Sequence, residues 1–181
     1  IGMPIIGAMT DIKKLTKSLF AFLTLVSIFM VSCFYFIDYG KWQTALVVYG
    51  ISFFCFCGSV TLYDKMLLSI SSKDNISKIS GYGYSFGYLG GGLLFLLNSF
   101  MVLQPSFFGL AGEANAIKWS FVTVSLWWLM FLMPLIIFYR DPDIQNEKDI
   151  KYVFSELKET IKIIISNRNI GIFLLAFFLY I

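Results

Sequence analysis

Apolar residues run along this chain in long unbroken stretches separated by short polar breaks. The pattern predicts the end of a helix over residues 1–9 and a polar turn over 10–14. Four complete apolar runs follow at about 18–37, 43–65, 81–103 and 117–139, and a further run opens at 169. Each complete run is close to the roughly 20 residues that an α-helix needs to cross a bilayer. Strands of a membrane barrel alternate polar and apolar positions, which these continuous runs do not. The breaks are polar: Asp38-Tyr39-Gly40-Lys41, a Ser/Lys/Asp stretch over 69–80 read as a loop, and a segment over 104–116 with Pro105, Gly109 and Gly112. The expected fold class is therefore all-α, a polytopic membrane helical bundle. The chain starts and stops inside apolar runs, at Ile1 and Ile181, so it is expected to be a piece of a longer protein.

Composition sharpens this picture. Of 181 residues, 58% are hydrophobic, 19% aromatic and 14% charged, with a mean hydropathy of +0.78. Soluble domains carry about 45–50% apolar and about 25% charged residues, so a water-soluble enzyme is excluded. The chain has no histidine, which removes His-based metal sites, His-dependent nucleophiles and His proton relays. Cys33, Cys55 and Cys57 all lie within apolar runs, and Cys55 and Cys57 point to different helix faces; they read as packing residues. No metal and no cofactor are expected. A net charge of +3 is too small to suggest a nucleic-acid partner.

Charge placement gives a topology. Alternate polar segments hold Lys13, Lys14 and Lys17; Lys65, Lys73 and Lys78; and Arg140, Lys148, Lys151, Lys158, Lys162 and Arg168, twelve basic residues in all. The intervening segments hold two, Lys41 and Lys118. Basic residues concentrate in cytoplasmic loops, so segments 10–17, 65–80 and 140–168 are expected in the cytoplasm. That location leaves the Asn75-Ile76-Ser77 sequon without sugar. Within the last segment, Ile150, Val153, Phe154, Leu157, Ile161 and Ile164 recur at helical spacing opposite Lys151, Lys158, Glu159 and Lys162. The segment 146–165 thus reads as an amphipathic helix in the headgroup plane. It serves either as a tether between two membrane units or as a lipid-sensing element.

Six glycines fall within twelve residues, Gly81 to Gly92. No strand precedes them and an apolar span follows, so they are not a dinucleotide fingerprint. Gly83, Gly87, Gly90 and Gly91 share one helix face. The overlapping Gly-x-x-x-Gly pairs Gly83/Gly87 and Gly87/Gly91 would let helix backbones approach, for static packing or for a moving gate helix. Asn98 is an amide deep in the same span, suited to an interhelical hydrogen bond or to a substrate. Tyr63-Asp64 lies near the cytoplasmic end of the second span, either a solvated helix end or a site. Trp127 and Trp128 lie mid-span rather than at the interface where membrane tryptophans gather; being 100° apart, one of them at most faces a central cavity. Pro134 should kink its helix unless a neighbour satisfies the freed carbonyl.

Several motifs carry a family resemblance. Gly7-Ala8-Met9-Thr10-Asp11, followed by Lys13, Lys14 and Lys17, resembles the loop between the second and third helices of the major facilitator superfamily. The run from Ser80 to Leu94 with Leu97-Asn98, and Leu126-Trp127-Trp128-Leu129 through Pro134-Leu135, resemble the facilitator branch related to the yeast vacuolar amino-acid effluxer of autophagy. Leu175-Ala176-Phe177-Phe178-Leu179-Tyr180 resembles the start of that branch's seventh helix. Tyr63-Asp64-Lys65-Met66-Leu67-Leu68 resembles its Tyr-Asn-Ala-Phe-Leu-Pro element, with Asp64, Lys65 and Leu68 in place of the amide, alanine and proline. The resemblance implies a facilitator-type N-terminal half over 1–139 (end of helix 2 to helix 6), a cytoplasmic linker over 140–167 and the start of helix 7 over 168–181.

The function so implied is secondary-active transport of small solutes, with amino-acid efflux as a candidate activity, by alternating access. Its partners would be the lipid bilayer, a small-molecule substrate and the missing C-terminal half of the same chain. The membrane would be a cell inner or plasma membrane, or a vacuolar-type membrane in a eukaryote. Asp11, Lys13, Lys14 and Lys17 would form a cytoplasmic latch, and Gly83, Gly87, Gly90 and Gly91 a sliding face. Tyr63, Asp64, Tyr84, Asn98, Trp127 and Trp128 are the candidate substrate contacts. The alternative is a non-transporting receptor or scaffold on the same frame. An intramembrane enzyme would need convergent ionisable groups within the spans; Asp64, near one end, is the single candidate.

Overall fold

The computed structural model describes residues 15–72 and 74–142, isolated positions between 155 and 167, and 168–180. Four long helices are present: α1, Thr16–Cys33; α2, Trp42–Ile70; α3, Ile76–Leu103; and α4, Glu113–Phe138. A fifth, α5, spans Arg168–Tyr180. Short 3₁₀ turns at Phe34–Phe36 and Pro105–Phe108 follow α1 and α3. No strand occurs among the described residues, and the all-α fold class holds. Residues 15–142 form one compact unit, and α5 belongs to another. The sequence expectations for residues 1–14, including Asp11, Lys13 and Lys14, and for the amphipathic stripe over 146–165 as a whole lie outside the described residues.

Helix α1 ends at Cys33, short of the expected 37, and α4 at Phe138, whereas α2 and α3 run beyond their hydropathy boundaries at the ends that face each other in sequence. The expected loop over 69–80 is shorter: α2 continues through Ile70 and α3 starts at Ile76. With 29, 28 and 26 residues, α2, α3 and α4 are roughly 39–44 Å long, against about 30 Å of hydrocarbon. Their polar end turns therefore extend into the headgroup layer, where helix needs no apolar period. Backbone hydrogen bonding drives helix in lipid, while hydropathy marks only the part that sits in hydrocarbon. The turn after α1 closes through Gly40 at φ +86 and the one after α3 through Gly109 at φ +69, conformations that favour glycine. Helix α4 runs on through Pro134 to Phe138.

Within 15–142, α1 is the central element and packs against both α2 and α4, while α4 also carries α3. The α1–α2 seam is built from small residues. Ser27, Ser52, Cys55, Gly58 and Ser59 are buried there, with Leu62 fully enclosed. Ser27 Oγ lies 3.1 Å from Ser52 Oγ, and each hydroxyl also faces the other residue's carbonyl, at 3.1 and 3.4 Å. Lipid tails are as apolar as the side chains, so close packing and such bonds, rather than the hydrophobic effect, hold the helices together. Ser125 Oγ of α4 bonds within its own helix to Phe121 O at 2.9 Å and reaches Ile28 O of α1 at 3.3 Å. Most large apolar side chains, among them Phe22, Leu46, Leu96 and Phe131, point outward. That is the expected arrangement where lipid is the solvent.

The two ends of this unit have different chemistry. At one end, the Asp141 carboxylate, just past α4, accepts the Lys17 backbone N–H at 3.1 and 3.3 Å, and Ser69 Oγ of α2 pairs with Tyr139 Oη at 3.0 Å. At the other, Asp38 pairs with Lys41 at 3.2 Å and Lys118 at 3.3 Å. The Phe34–Phe121 stack (4.8 Å) and the Tyr35–Trp119 edge contact (5.4 Å) join α1 to α4 at that second end. The two lysines of the lysine-poor side thus share one carboxylate. In the other unit, Asn167 Oδ1 caps α5 by accepting the N–H groups of Asn169 and Ile170 at 3.1 and 3.4 Å.

Candidate functional site

The short turn over 71–75 joins α2 to α3, yet the two helices barely touch, because α3 leans on α4 instead. The glycine run explains the bareness of that face. Without side chains there are no ridges to fit into the grooves of α2. Of the glycines in the run, Gly83 is the one that faces α2 closely: a Cβ there would stand 3.5 Å from Tyr63 Oη. Beyond it lies an open cleft of about 640 Å³, lined by Tyr63, Asp64 and Leu67 of α2 and by Ser80, Gly83, Tyr84, Gly87 and Tyr88 of α3. A cleft of this size lies within the range of small-molecule sites.

Its chemistry is mixed. Leu67, Val60 and Ile79 supply apolar wall. Three phenols and the Ser80 hydroxyl supply hydrogen-bonding groups, and Asp64 is the carboxyl among the described lining residues. Tyr63 and Asp64 are adjacent on the last turns of α2, and Tyr84 and Tyr88 are one turn apart on α3, so each helix contributes a pair.

Tyr63 also lines a smaller open pocket of about 140 Å³, shared with Phe20, Thr24, Ser27, Phe56 and Trp128. There Trp128 stacks on Phe56 at 5.6 Å between ring centres. Trp127 turns the other way, onto Phe131 at 5.1 Å and toward Gly90, whose added Cβ would lie 3.8 Å from the indole. One tryptophan of the pair faces a cavity and the other packs, as their 100° separation requires. Asn98 is not at the cleft. Its Oδ1 accepts the Thr123 hydroxyl at 2.7 Å, tying α3 to α4.

The structure thus gathers Tyr63, Asp64, Tyr84, Gly83 and Gly87 into one place and leaves Asn98, Trp127 and Gly90 at the α3–α4 contact. Gly91, like Gly87, has open space where a Cβ would be. Sequence reasoning missed Ser80 and Tyr88, although Tyr88 follows Tyr84 by one helical turn on the same face, a signal that was available. It also missed Asp141 as the carboxylate at a helix start. That contact spans 124 residues, and no local pattern announces it. The Lys17 amide, rather than its ammonium, is the group that meets it. Cys33, Cys55 and Cys57 are free thiols. No group of three or more His, Cys, Asp or Glu able to hold a metal is present among the described residues.

Four antiparallel apolar helices, outward-facing Phe and Leu, and small-residue seams define a polytopic helical membrane protein. The family is equally clear: the chain belongs to the vacuole effluxer Atg22-like family, whose profile matches residues 1–181, within the major facilitator superfamily. It is similar to the uncharacterized MFS-type transporter YxiO of Bacillus subtilis (strain 168), with 27% identity over 181 residues, 98% of this chain. The chain spans 42% of the length of that relative. No solved structure matches it.

Proposed function

We propose that this chain works as part of a secondary-active membrane transporter of small solutes that operates by alternating access. The observation that carries the reading is the bare cleft between α2 and α3 in a chain of this family: one helix pair stays unzipped while α1 is held firmly by two neighbours. A helix with a smooth glycine face can shift against a partner without unlocking side chains. Export of amino acids is the activity the family description suggests, and Tyr63, Asp64 and Tyr84 are the residues proposed to meet the cargo. Trp128 lines the smaller pocket beside Tyr63 and is a further candidate contact, and Asn98 and Trp127 steady α3 on α4.

In this reading residues 1–139 belong to an N-terminal half, 140–167 to a linker and 168–181 to the start of the next half. A second half of the same chain completes the path, since facilitator sites lie between two halves that rock about them. The Asp141 end is cytoplasmic in this reading, which the bias of twelve basic residues against two supports. Asp11, Lys13, Lys14 and Lys17 are the residues proposed to form the latch.

The direct test is solute accumulation by the full-length protein in sealed vesicles, with and without a pH gradient. Gradient-dependent movement of an amino acid is expected. Replacing Asp11 by Asn should impair it while leaving membrane insertion intact. Vesicles that move no solute from a panel of amino acids under any gradient overturn the efflux reading.

A further inference from the structure

We infer that the cleft between α2 and α3 recognises the ammonium group of an organic cation, with Asp64 as counter-ion and Tyr63, Tyr84 and Tyr88 as an aromatic surround. The inference rests on the transport reading for its purpose, though not for its chemistry. The argument begins with charge. Asp64 is the acidic group lining the cleft, and among the described lining residues there is no lysine or arginine. Among the described residues no lysine or arginine forms a salt bridge with Asp64. An anion entering the cleft would meet a like charge, and a cation an opposite one. Close to hydrocarbon the effective dielectric falls and this preference grows.

The second element is the tyrosines. A ring face attracts a cation within about 6 Å of its centre, by roughly 0.5–2 kcal/mol. Tyr84 and Tyr88 stand one turn apart on α3, and Tyr63 faces them from α2 at the Gly83 contact. Three phenols and one carboxylate around a common space resemble the arrangement by which proteins bind quaternary and primary ammonium groups. Gly83 and Gly87 contribute by absence, since any side chain there would take up the space the cation needs. The described lining holds no basic counterpart for a carboxylate, so recognition centres on the ammonium end of a solute.

The test uses the full-length protein in lipid nanodiscs and three probes: choline, ethanolamine and neopentylcarbinol, the uncharged carbon isostere of choline. Titration calorimetry is expected to show saturable binding of choline or ethanolamine, and binding of the isostere weaker by at least about tenfold. The Asp64→Asn variant should lose about tenfold or more in affinity for the cations, in line with the loss of a charge-assisted contact. Asp64→Glu should recover most of it, which separates loss of charge from misfolding. Tyr84→Phe should keep binding and Tyr84→Leu weaken it, because the ring face and not the hydroxyl attracts the cation.

Equal binding of choline and its isostere overturns the inference, as does a folded Asp64→Asn variant with unchanged affinity or the absence of saturable binding by either cation. Cation binding that depends on Asp64, without uptake of any solute into vesicles, would refute transport and leave the ammonium site standing. Uptake that survives Asp64→Asn unchanged would do the reverse.

Discussion

Gly87 separates two explanations of the glycine run, close packing and open space. If its lack of a side chain served tight helix packing, any addition would clash. In the structure an added Cβ at Gly87 meets no atom within 4 Å, whereas at Gly83 it meets Tyr63 Oη at 3.5 Å. Leucine at Gly87 should therefore be accommodated. It should also favour α3, because glycine disfavours a helix interior by about 0.8–1 kcal/mol relative to alanine and leucine is close to alanine. For a chain of this size that corresponds to an unfolding midpoint unchanged or raised by up to about 4 °C. The leucine would project into the 640 Å³ cleft that Gly87 lines. Solute uptake into vesicles should fall by at least about tenfold, a penalty near 1.4 kcal/mol. A protein that is as stable as the parent but transports poorly is the expected outcome. Gly87→Leu with full uptake would show that the cleft carries no solute. A midpoint lowered by Gly87→Ala would show that the face is a packing surface.

Three further outcomes follow from the contacts at the helix ends and the α1–α2 seam. The lysine partners Lys41 and Lys118 hold the Asp38 carboxyl below its usual range, chiefly through their hydrogen bonds. Its contribution is complete above the ordinary carboxylate pKa and disappears as pH falls through the lowered value; an NMR titration should place the Asp38 midpoint below that of a free aspartate and move it upward with added salt. In a double-mutant cycle, Ser27→Ala and Ser52→Ala should couple by about 0.6 kcal/mol and no more than about 1.7, the range measured for hydrogen bonds between membrane helices. Additive effects in detergent unfolding would contradict the hydroxyl pair. Asp141→Ala should cost about 0.5–2 kcal/mol, as for loss of a helix N-cap; the check is faster hydrogen exchange at the Lys17 amide, with little change in the middle of α1.

What could be read from the sequence divides along the physics of lipid. The spans were legible because hydrocarbon imposes long apolar runs. The helix ends were not, since Ser69, Ile70 and the turn from Ile76 to Ser80 lie beyond the hydrocarbon, where polar sequence and helical backbone coexist. At the site, the pairing of Tyr63-Asp64 with the glycine face was half visible, as two separate motifs. Their meeting depends on the short 71–75 turn and on α3 leaning toward α4. The small-residue seam around Ser27 and Ser52 left no mark, because serines within a membrane helix look alike until the facing helix is in place. Asn98 could be read as polar glue or as a ligand contact, and the Thr123 hydroxyl favours the first.

The grip of Asp141 on the opening turn of α1 has a consequence for biogenesis. Leu15, at the N-cap position, gives α1 no side-chain cap, so the missing acceptor arrives only when the ribosome has delivered the tail of the last of these four spans. Until then the opening turn of α1 lacks that acceptor. Its completion registers that every intervening helix has threaded in the proper sense, because an inverted one would strand the aspartate on the opposite face of the membrane.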